Sequence, residues 1–412
     1  MKQSIVIFLC ILALFTACSN GVKKEEPKII EISFFDKNSL ISKISIETGG
    51  KTAIPTPPPK AGYSFEGWSQ QGGDKILLPN QSEITFNEPA SYYACWCDED
   101  IKSKLVVDNG AITCADKAIR NIEIPEILDG WRITAIGDEA FKDNAFLESI
   151  FLPESIESIR TDAFYGCESL KEINLPSSIE NIGMAAFANC KSLSSITLPD
   201  NLKMIGPGAF IDCSSLEDIN IPDSVEYMDP QTFYWCTSLT SVKIGSGIKH
   251  LPDQAFAWAP ISSITIPGNV EEIELQAFMY CSELNNINLE KGIKVIGPEA
   301  FWDTKSLKHI TLPDSVTTIE NRAFIGSGIE TIDLPNSLTY IGEEAFRNTK
   351  LKTITIPASV SGIEKNAFMD CAALVEINVA EDNLYYSSVD GVLYDKAGEI
   401  LICYPEGKTT SE

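Results

Sequence analysis

Leu170-Lys171-Glu172-Ile173-Asn174-Leu175-Pro176-Ser177-Ser178-Ile179-Glu180-Asn181-Ile182-Gly183-Met184-Ala185-Ala186-Phe187-Ala188-Asn189-Cys190 carries two apolar patterns and a closing Ala-Phe pair, and the same frame returns along most of the chain. Its phenylalanine recurs at steps of 22 or 23 residues as Phe141, Phe164, Phe187, Phe210, Phe233, Phe256, Phe278, Phe301, Phe324, Phe346 and Phe368. A coil this short cannot bury its own apolar face and must stack on its neighbours, so the period predicts a solenoid. Glu172-Ile173-Asn174-Leu175 alternates with period two, the mark of a strand with one buried face. Pro176, like Pro153, Pro199, Pro222, Pro267, Pro313, Pro335 and Pro357, cannot continue a hydrogen-bonded ladder and turns the chain at a corner. The pair Ile179 and Ile182 supplies a second inward side and Ala186-Phe187 a third. Eleven such rungs at the strand spacing of about 4.8 Å make a body roughly 50 Å long.

Outside the repeats the chain has several other segments. Lys2, an apolar run from Ile5 to Phe15 and Thr16-Ala17-Cys18-Ser19-Asn20 resemble a bacterial lipoprotein signal, which implies acylation of Cys18 after removal of residues 1–17. Phe15 stands where that signal usually has Leu. Ordinary cleavage after Ala17 is disfavoured by Phe15 at a site that wants a small residue. An uncleaved anchor is disfavoured by the shortness of the run. Residues 18–28 read as a polar tether. Residues 29–98 then alternate as strands around Gly62-Tyr63-Ser64-Phe65-Glu66-Gly67-Trp68 and Tyr92-Tyr93-Ala94-Cys95-Trp96. This segment resembles the Listeria-Bacteroides, or internalin B-type, repeat, which implies a small β-rich spacer module; Trp68, Phe65, Tyr63 and Trp96 are expected to form its aromatic core.

Leu105 to Arg132 reads as an atypical first coil that caps the stack. At the other end residues 381–412 break the period, and Tyr385 to Pro405 read as a hairpin-like cover with turns at Asp390-Gly391 and near Gly398. The frame Leu-x-x-Ile-x-Leu-Pro-x-Ser-Ile-x-x-Ile-x-x-x-Ala-Phe-x-x-Cys over 105–380, with its closing Ser388-Val389-Asp390-Gly391-Val392-Leu393-Tyr394, resembles the BspA-like, Treponema-type leucine-rich repeats. The fold class expected is a β-rich solenoid of about eleven coils behind a small β-rich module. The resemblance implies a surface-exposed recognition protein whose relatives include adhesins.

The sequence carries no recognisable catalytic signature. The two histidines, His250 and His309, adjoin no nucleophile motif and read as surface residues, and no phosphate loop, zinc helix or calcium loop occurs. No enzyme activity, metal or cofactor is therefore expected. With 32 basic and 58 acidic residues and a net charge of −26, the chain should repel phosphate backbones and anionic bilayers, so nucleic-acid binding is not expected. Cys167, Cys190, Cys213, Cys236, Cys281 and Cys371 share the slot three residues after the repeat Phe, where other coils hold Asn144, Ala259, Thr304, Ser327 or Thr349. Interchange with small residues favours unbonded packing of thiols as small hydrophobes, the alternatives being a disulfide between adjacent rungs, which export would permit, or a metal site.

One column remains as a binding surface. Alternation places Asn174, Thr197, Asn220, Lys243, Thr265, Asn288, Thr311, Asp333, Thr355 and Asn378 outward on the main strand, in line with Phe151. Such a polar column suits sheet stability, through β-propensity and stacked amides, and equally suits contact with a protein or glycan on a host or bacterial surface. The function expected is that of an exported lipoprotein, anchored to the outer membrane only by its N-terminal lipid and surface exposed, that binds macromolecules, adhesion foremost. The alternative is a periplasm-facing structural lipoprotein without a host ligand.

Overall fold

The computed structural model describes residues 28–70, 76–77 and 83–408. Cys18 and the signal assigned to residues 1–17 lie outside the described residues. The described chain divides into two compact units, residues 28–58 with 68–94 and residues 59–67 with 95–408.

The smaller unit is built on β1 (Ile29–Asp36), β2 (Ser39–Glu47), β3 (Gly50–Thr52), β5 (Ile76–Leu77), β6 (Ile84–Phe86) and the parts of β4 (Tyr63–Gln70) and β7 (Ala90–Asp98) that fall within residues 68–94. β1 pairs antiparallel with β2 and parallel with β7, and β3 pairs antiparallel with β6. Its core is fully buried Phe34, Trp68, Phe86 and Tyr92, with the Phe34 ring 5.0 Å from Trp68 and 5.6 Å from Tyr92. The Trp68 indole N–H donates to the Pro55 carbonyl at 2.8 Å, which satisfies its buried polar edge. The sequence reading of the aromatic core is corrected here: Tyr63 is exposed beneath the Lys60 ammonium, 3.9 Å from its ring centroid. Phe65 and Trp96 are half-buried against each other in the other unit.

In the larger unit a short helix, Glu99–Lys104, capped by the Asp98 carboxylate, leads into the hairpin Leu105–Asp108 and Ala111–Ala115. The second of these strands pairs parallel with Ala135–Ile136, so the atypical first coil is continuous with the repeats. Each regular coil has three sides. Main strands such as Ser263–Ile266 and Asn286–Leu289 pair in parallel with Ile264 opposite Ile287, both buried. Second strands such as Ser158–Ile159 and Asn181–Ile182 pair the same way, Ile159 opposite Ile182. The third side is a turn around the Ala-Phe pair.

That turn explains why two residue types alternate so strictly. The residues two before and two after each Phe have positive φ, as at Glu139 (φ 58) and Asp143 (φ 55) around Phe141. This points successive N–H groups along the solenoid: Phe164 donates to the Ala186 carbonyl and Phe187 to the Ala209 carbonyl, each at 2.8 Å. Ala is small enough to vanish beneath this backbone, and the Phe rings stack in one column with centroids 5.2 to 5.8 Å apart from Phe141 to Phe368. Such offset stacking adds about 0.5–1.5 kcal/mol per pair to the burial of the rings. At the far end Tyr386–Val389, Val392–Asp395 and Leu401–Cys403 form an antiparallel sheet whose first turn uses Asp390 (φ 51) and Gly391 (φ 73).

The ladder of second strands is interrupted once in mid-course, at the coil Leu239–Ile261. Second strands from Leu105 to Met228 make one seven-stranded sheet and those from His250 to Ile363 a separate six-stranded one. A missing donor contributes to the break. In flanking coils the Asp229 N–H donates to the Ile205 carbonyl at 3.0 Å and the Glu274 N–H to the Leu251 carbonyl at 2.9 Å. The equivalent residue between them is Pro252, which has no N–H to give. In the same coil Gly245 and Gly247 stand at the corner where Pro normally ends the main strand, and a Cβ at Gly247 would lie 2.3 Å from the Val225 carbonyl oxygen. The coil is thus pulled tight at one corner and released at the next, while the Phe column and its turn hydrogen bonds, including Phe233 N–H to Ala255 at 3.0 Å, run through.

Candidate functional site

Strand alternation places the main-strand column as the sequence predicted. Phe151, Thr197, Asn220, Lys243, Thr265, Asn288, Thr311, Asp333 and Thr355 are exposed, and Asn174 and Asn378 are half-buried. The amide ladder suggested for this column is not what Asn174 makes. Its Nδ2 donates to the Leu152 carbonyl at 2.9 Å and its Oδ1 accepts from the Leu152 N–H at 2.7 Å, so it extends the backbone pairing of the preceding coil. His309 sits on the same face beside Thr311 and Thr331, its ring nitrogens 3.1 and 2.9 Å from their hydroxyls.

The column is not uniform. Main strands pair in short sets, and Ser241–Lys243 is not laddered to Ser263–Ile266. Between them lies a groove of about 600 Å³, which Lys243, Thr265 and Asn288 line together with Ser241, Ser263 and Glu290. A shallow polar groove with hydroxyls, an amide, one cation and one carboxylate suits hydrogen-bonded contact with another macromolecule.

Continuous side-chain ladders do exist, on the turn side instead. Gln231 Nε2 donates to Gln254 Oε1 at 2.6 Å, Gln254 to Gln276, and Gln276 Nε2 to Glu299 Oε2 at 2.6 Å. The line continues as charge: Arg322 reaches Glu299 at 3.6 Å and Glu344 at 2.8 Å, and Arg347 joins Glu344 at 3.1 Å to Asp370 at 2.9 Å. The two guanidiniums hold the Glu344 carboxyl below its ordinary range, with Arg322 the larger influence.

Two residues beyond the repeat Phe, the left-handed position is Asp, Asn or Gly in most coils, as in Asp143, Gly166, Asn189, Asp212, Asp303, Gly326, Asn348 and Asp370. Those residues tolerate positive φ. Three consecutive coils place Trp235 (φ 63), Trp258 (φ 70) and Tyr280 (φ 58) there instead. With Trp302 they form an outer aromatic row, centroids 6.1, 4.2 and 5.3 Å apart, whose first two members are 49% and 39% exposed. The sequence reading missed this row, although the exchange of Asp, Asn or Gly for aromatics in one repeat slot is visible once coils are aligned by column.

The cysteine slot is buried and its thiols are unbonded. Its chemistry is more specific than low volume. Each Sγ–H donates to the carbonyl of the repeat Phe one coil back: Cys167 to Phe141 at 3.1 Å, Cys190 to Phe164 at 3.3 Å, Cys213 to Phe187 and Cys236 to Phe210 at 3.2 Å, Cys281 to Phe256 at 3.1 Å and Cys371 to Phe346 at 3.0 Å. Asn144 and Thr304 in the slot also donate to carbonyls, of Asp116 and Phe301. Desolvation pushes the Cys167 and Cys236 thiols up to about 12.

A family model for the BspA type leucine-rich repeat region, in six copies, matches residues 134–260 and 249–375. The fold is similar to that of a leucine-rich repeat protein from Bacteroides ovatus, 25% identical over 68% of this chain and 87% of that one, with a TM-score of 0.52. A leucine rich cell surface protein from Faecalibacterium prausnitzii is 26% identical over 66% of this chain and 85% of its own, with a TM-score of 0.46. A leucine-rich repeat protein of T. pallidum is 27% identical over 49% of this chain and 86% of its own, with a TM-score of 0.38. No curated protein matches the chain.

Proposed function

Because this chain belongs to the BspA-type leucine-rich repeat proteins, whose solenoid is a scaffold for protein recognition, we propose that it is a cell-surface lipoprotein that binds macromolecules, with adhesion to matrix proteins, host cells or other bacteria as its role. The observation that carries this reading is the exposed main-strand column opening into the groove at Lys243, Thr265 and Asn288. A repeated neutral face offers many equivalent hydrogen-bonding positions to a large ligand, and the groove supplies a local departure from that repetition on which specificity can be built. The lipid on Cys18 would be the membrane attachment; no helix among the described residues is long and apolar enough to cross a membrane. The expected ligand is a protein or glycan.

Binding to immobilised matrix proteins and to bacterial partner cells tests the reading. Replacing Asn220, Thr265 and Asn288 together by Lys puts a basic cluster in mid-face without touching the core. It should lower binding at least tenfold, with melting unchanged. The triple change of Glu157, Glu180 and Lys203, exposed on the second side, should leave binding within twofold. If the second-side variant is the damaging one, the ligand docks elsewhere on the coil. Protease shaving of intact cells should remove the solenoid without lysis, and Cys18→Ala should release the protein from membranes. Protection from shaving, with no ligand in either assay, would replace the adhesin by a periplasm-facing scaffold.

A further inference from the structure

We propose that His250, Glu272 and Glu274 form a site for a divalent transition-metal ion at the break in the second sheet. His250 and Glu272 are directly opposite in register on paired strands, and Glu274 follows Glu272 by two residues, so the pleat turns all three side chains outward on the same face. The His250 Nδ1 lies 3.7 Å from Glu272 Oε2 and 3.6 Å from Glu274 Oε1, and the three donor atoms all fall within 4.8 Å of one another. Neither His–Glu separation is a hydrogen bond. They are instead close to what a shared ion imposes: with metal–nitrogen and metal–oxygen bonds of about 2.0–2.2 Å, ligand atoms on a tetrahedron sit roughly 3.3–3.5 Å apart. Closing the site asks a few tenths of an ångström of each His–Glu pair, and the two carboxylate oxygens, within 4.8 Å of each other, would draw together onto the ion.

The surrounding charges leave these carboxylates available. Glu271, next in sequence, is held by Lys294 at 2.6 Å, whereas among the described residues neither Glu272 nor Glu274 makes an ion pair with Lys or Arg. The ligand set of one imidazole and two carboxylates suits zinc or cobalt(II) better than calcium, which takes six to eight oxygens. Of the three, His250 also borders open space on the far side of its strand. The strand of His250 is not paired to that of Tyr227, and a cavity of about 540 Å³ lies there, lined by Glu226, Tyr227, Asp229, Lys249 and His250 among others. The three ligands are exposed or half-buried, so the ion would complete its coordination with water, or with an acidic group of a bound partner, from solvent.

The chain's only other histidine, His309, faces threonine hydroxyls on a different strand, which makes it the natural control. The full chain without a histidine tag is titrated with zinc chloride by calorimetry, and with cobalt(II) chloride by visible absorption. One ion per chain is expected, with the d–d bands of a nitrogen–oxygen site and no thiolate charge-transfer band. His250→Ala and the double variant Glu272→Gln, Glu274→Gln should each weaken binding at least tenfold while His309→Ala binds as the parent does; far-ultraviolet dichroism and melting confirm that all are folded. No binding, binding indifferent to His250, or a thiolate band pointing to exposed Cys114 would each overturn the proposal. Both titrations use the isolated chain, so their outcome is independent of the adhesion reading.

Discussion

At the scale of single residues, the repeat phenylalanine and the cysteine slot divide the labour of holding coils together. Phe210 is fully buried between Phe187 and Phe233 at 5.3 Å on either side. Phe210→Ala should therefore destabilise by about 3–5 kcal/mol. Phe151, which is 43% exposed on the main-strand face, should tolerate the same change with a loss of under about 1 kcal/mol. Equal losses in chemical denaturation would mean that the inside and outside of the main strand are misassigned. The thiols give a second test. A group held at about 12 is thiolate in about one molecule in ten thousand at pH 8. Alkylation followed by peptide mass spectrometry should then mark exposed Cys114 in the native protein and leave Cys167, Cys190, Cys213, Cys236 and Cys281 unmarked until denaturant is added. Prompt native labelling of any of those five would show that the slot opens to solvent.

At the scale of elements, the sequence made the periodic parts legible and the aperiodic parts much less so. Strands, corners and turn follow from apolar spacing because each buried position recurs in every coil. The departures are also written in the chain, in Gly245, Gly247 and Pro252, but their meaning depends on which donor faces which carbonyl one coil away. His250 and Glu272 illustrate the same limit. They are 22 residues apart, and only stacking shows them to be neighbours; compared with His309 alone, His250 looks like any surface residue. Alternation suggests a polar ladder on the main strand, whereas the structure has it on the turn side, between left-handed residues of successive coils. Its charged end predicts a pH effect. Arg322 and Arg347 lower the folded-state pKa of Glu344 below the ordinary 4.5. Their stabilisation is complete above that value and is lost as pH falls through the lower folded one. The melting temperature of the parent should exceed that of Glu344→Gln at pH 7, and the gap should narrow steadily below about pH 4.5. A gap that stays constant down to pH 3 would assign the effect of the substitution to packing, not charge.

At the scale of the whole solenoid, stability is close to a sum over coils and the contacts between neighbours. One such contact is the glycine corner of the coil Leu239–Ile261, which must lie against the coil before it. Gly247→Ala drives a methyl into the Val225 carbonyl and should cost about 1–3 kcal/mol. Ser246→Ala, which keeps the backbone N–H that Asp223 accepts at 2.7 Å, should stay within about 0.5 kcal/mol of the parent. If both alanines prove harmless, the tight corner is not what fixes this coil. The unbroken Phe turn has a different consequence, one of arithmetic. Every coil offers its successor the same row of donors and the same ring, so the chain can be shortened without being damaged, provided the cut is a whole number of turns. Removing Phe164 to Ala186 joins Ala163 to Phe187 and restores every column. This variant should melt cooperatively, a few degrees below its parent. Removing Phe164 to Asn174, half a turn, brings strand residues against turn residues all the way to the C-terminal cap and should leave a chain that does not fold. In a population of related genes, length should therefore vary in units of one coil, and the sequence on either side of each junction should still read Ala-Phe.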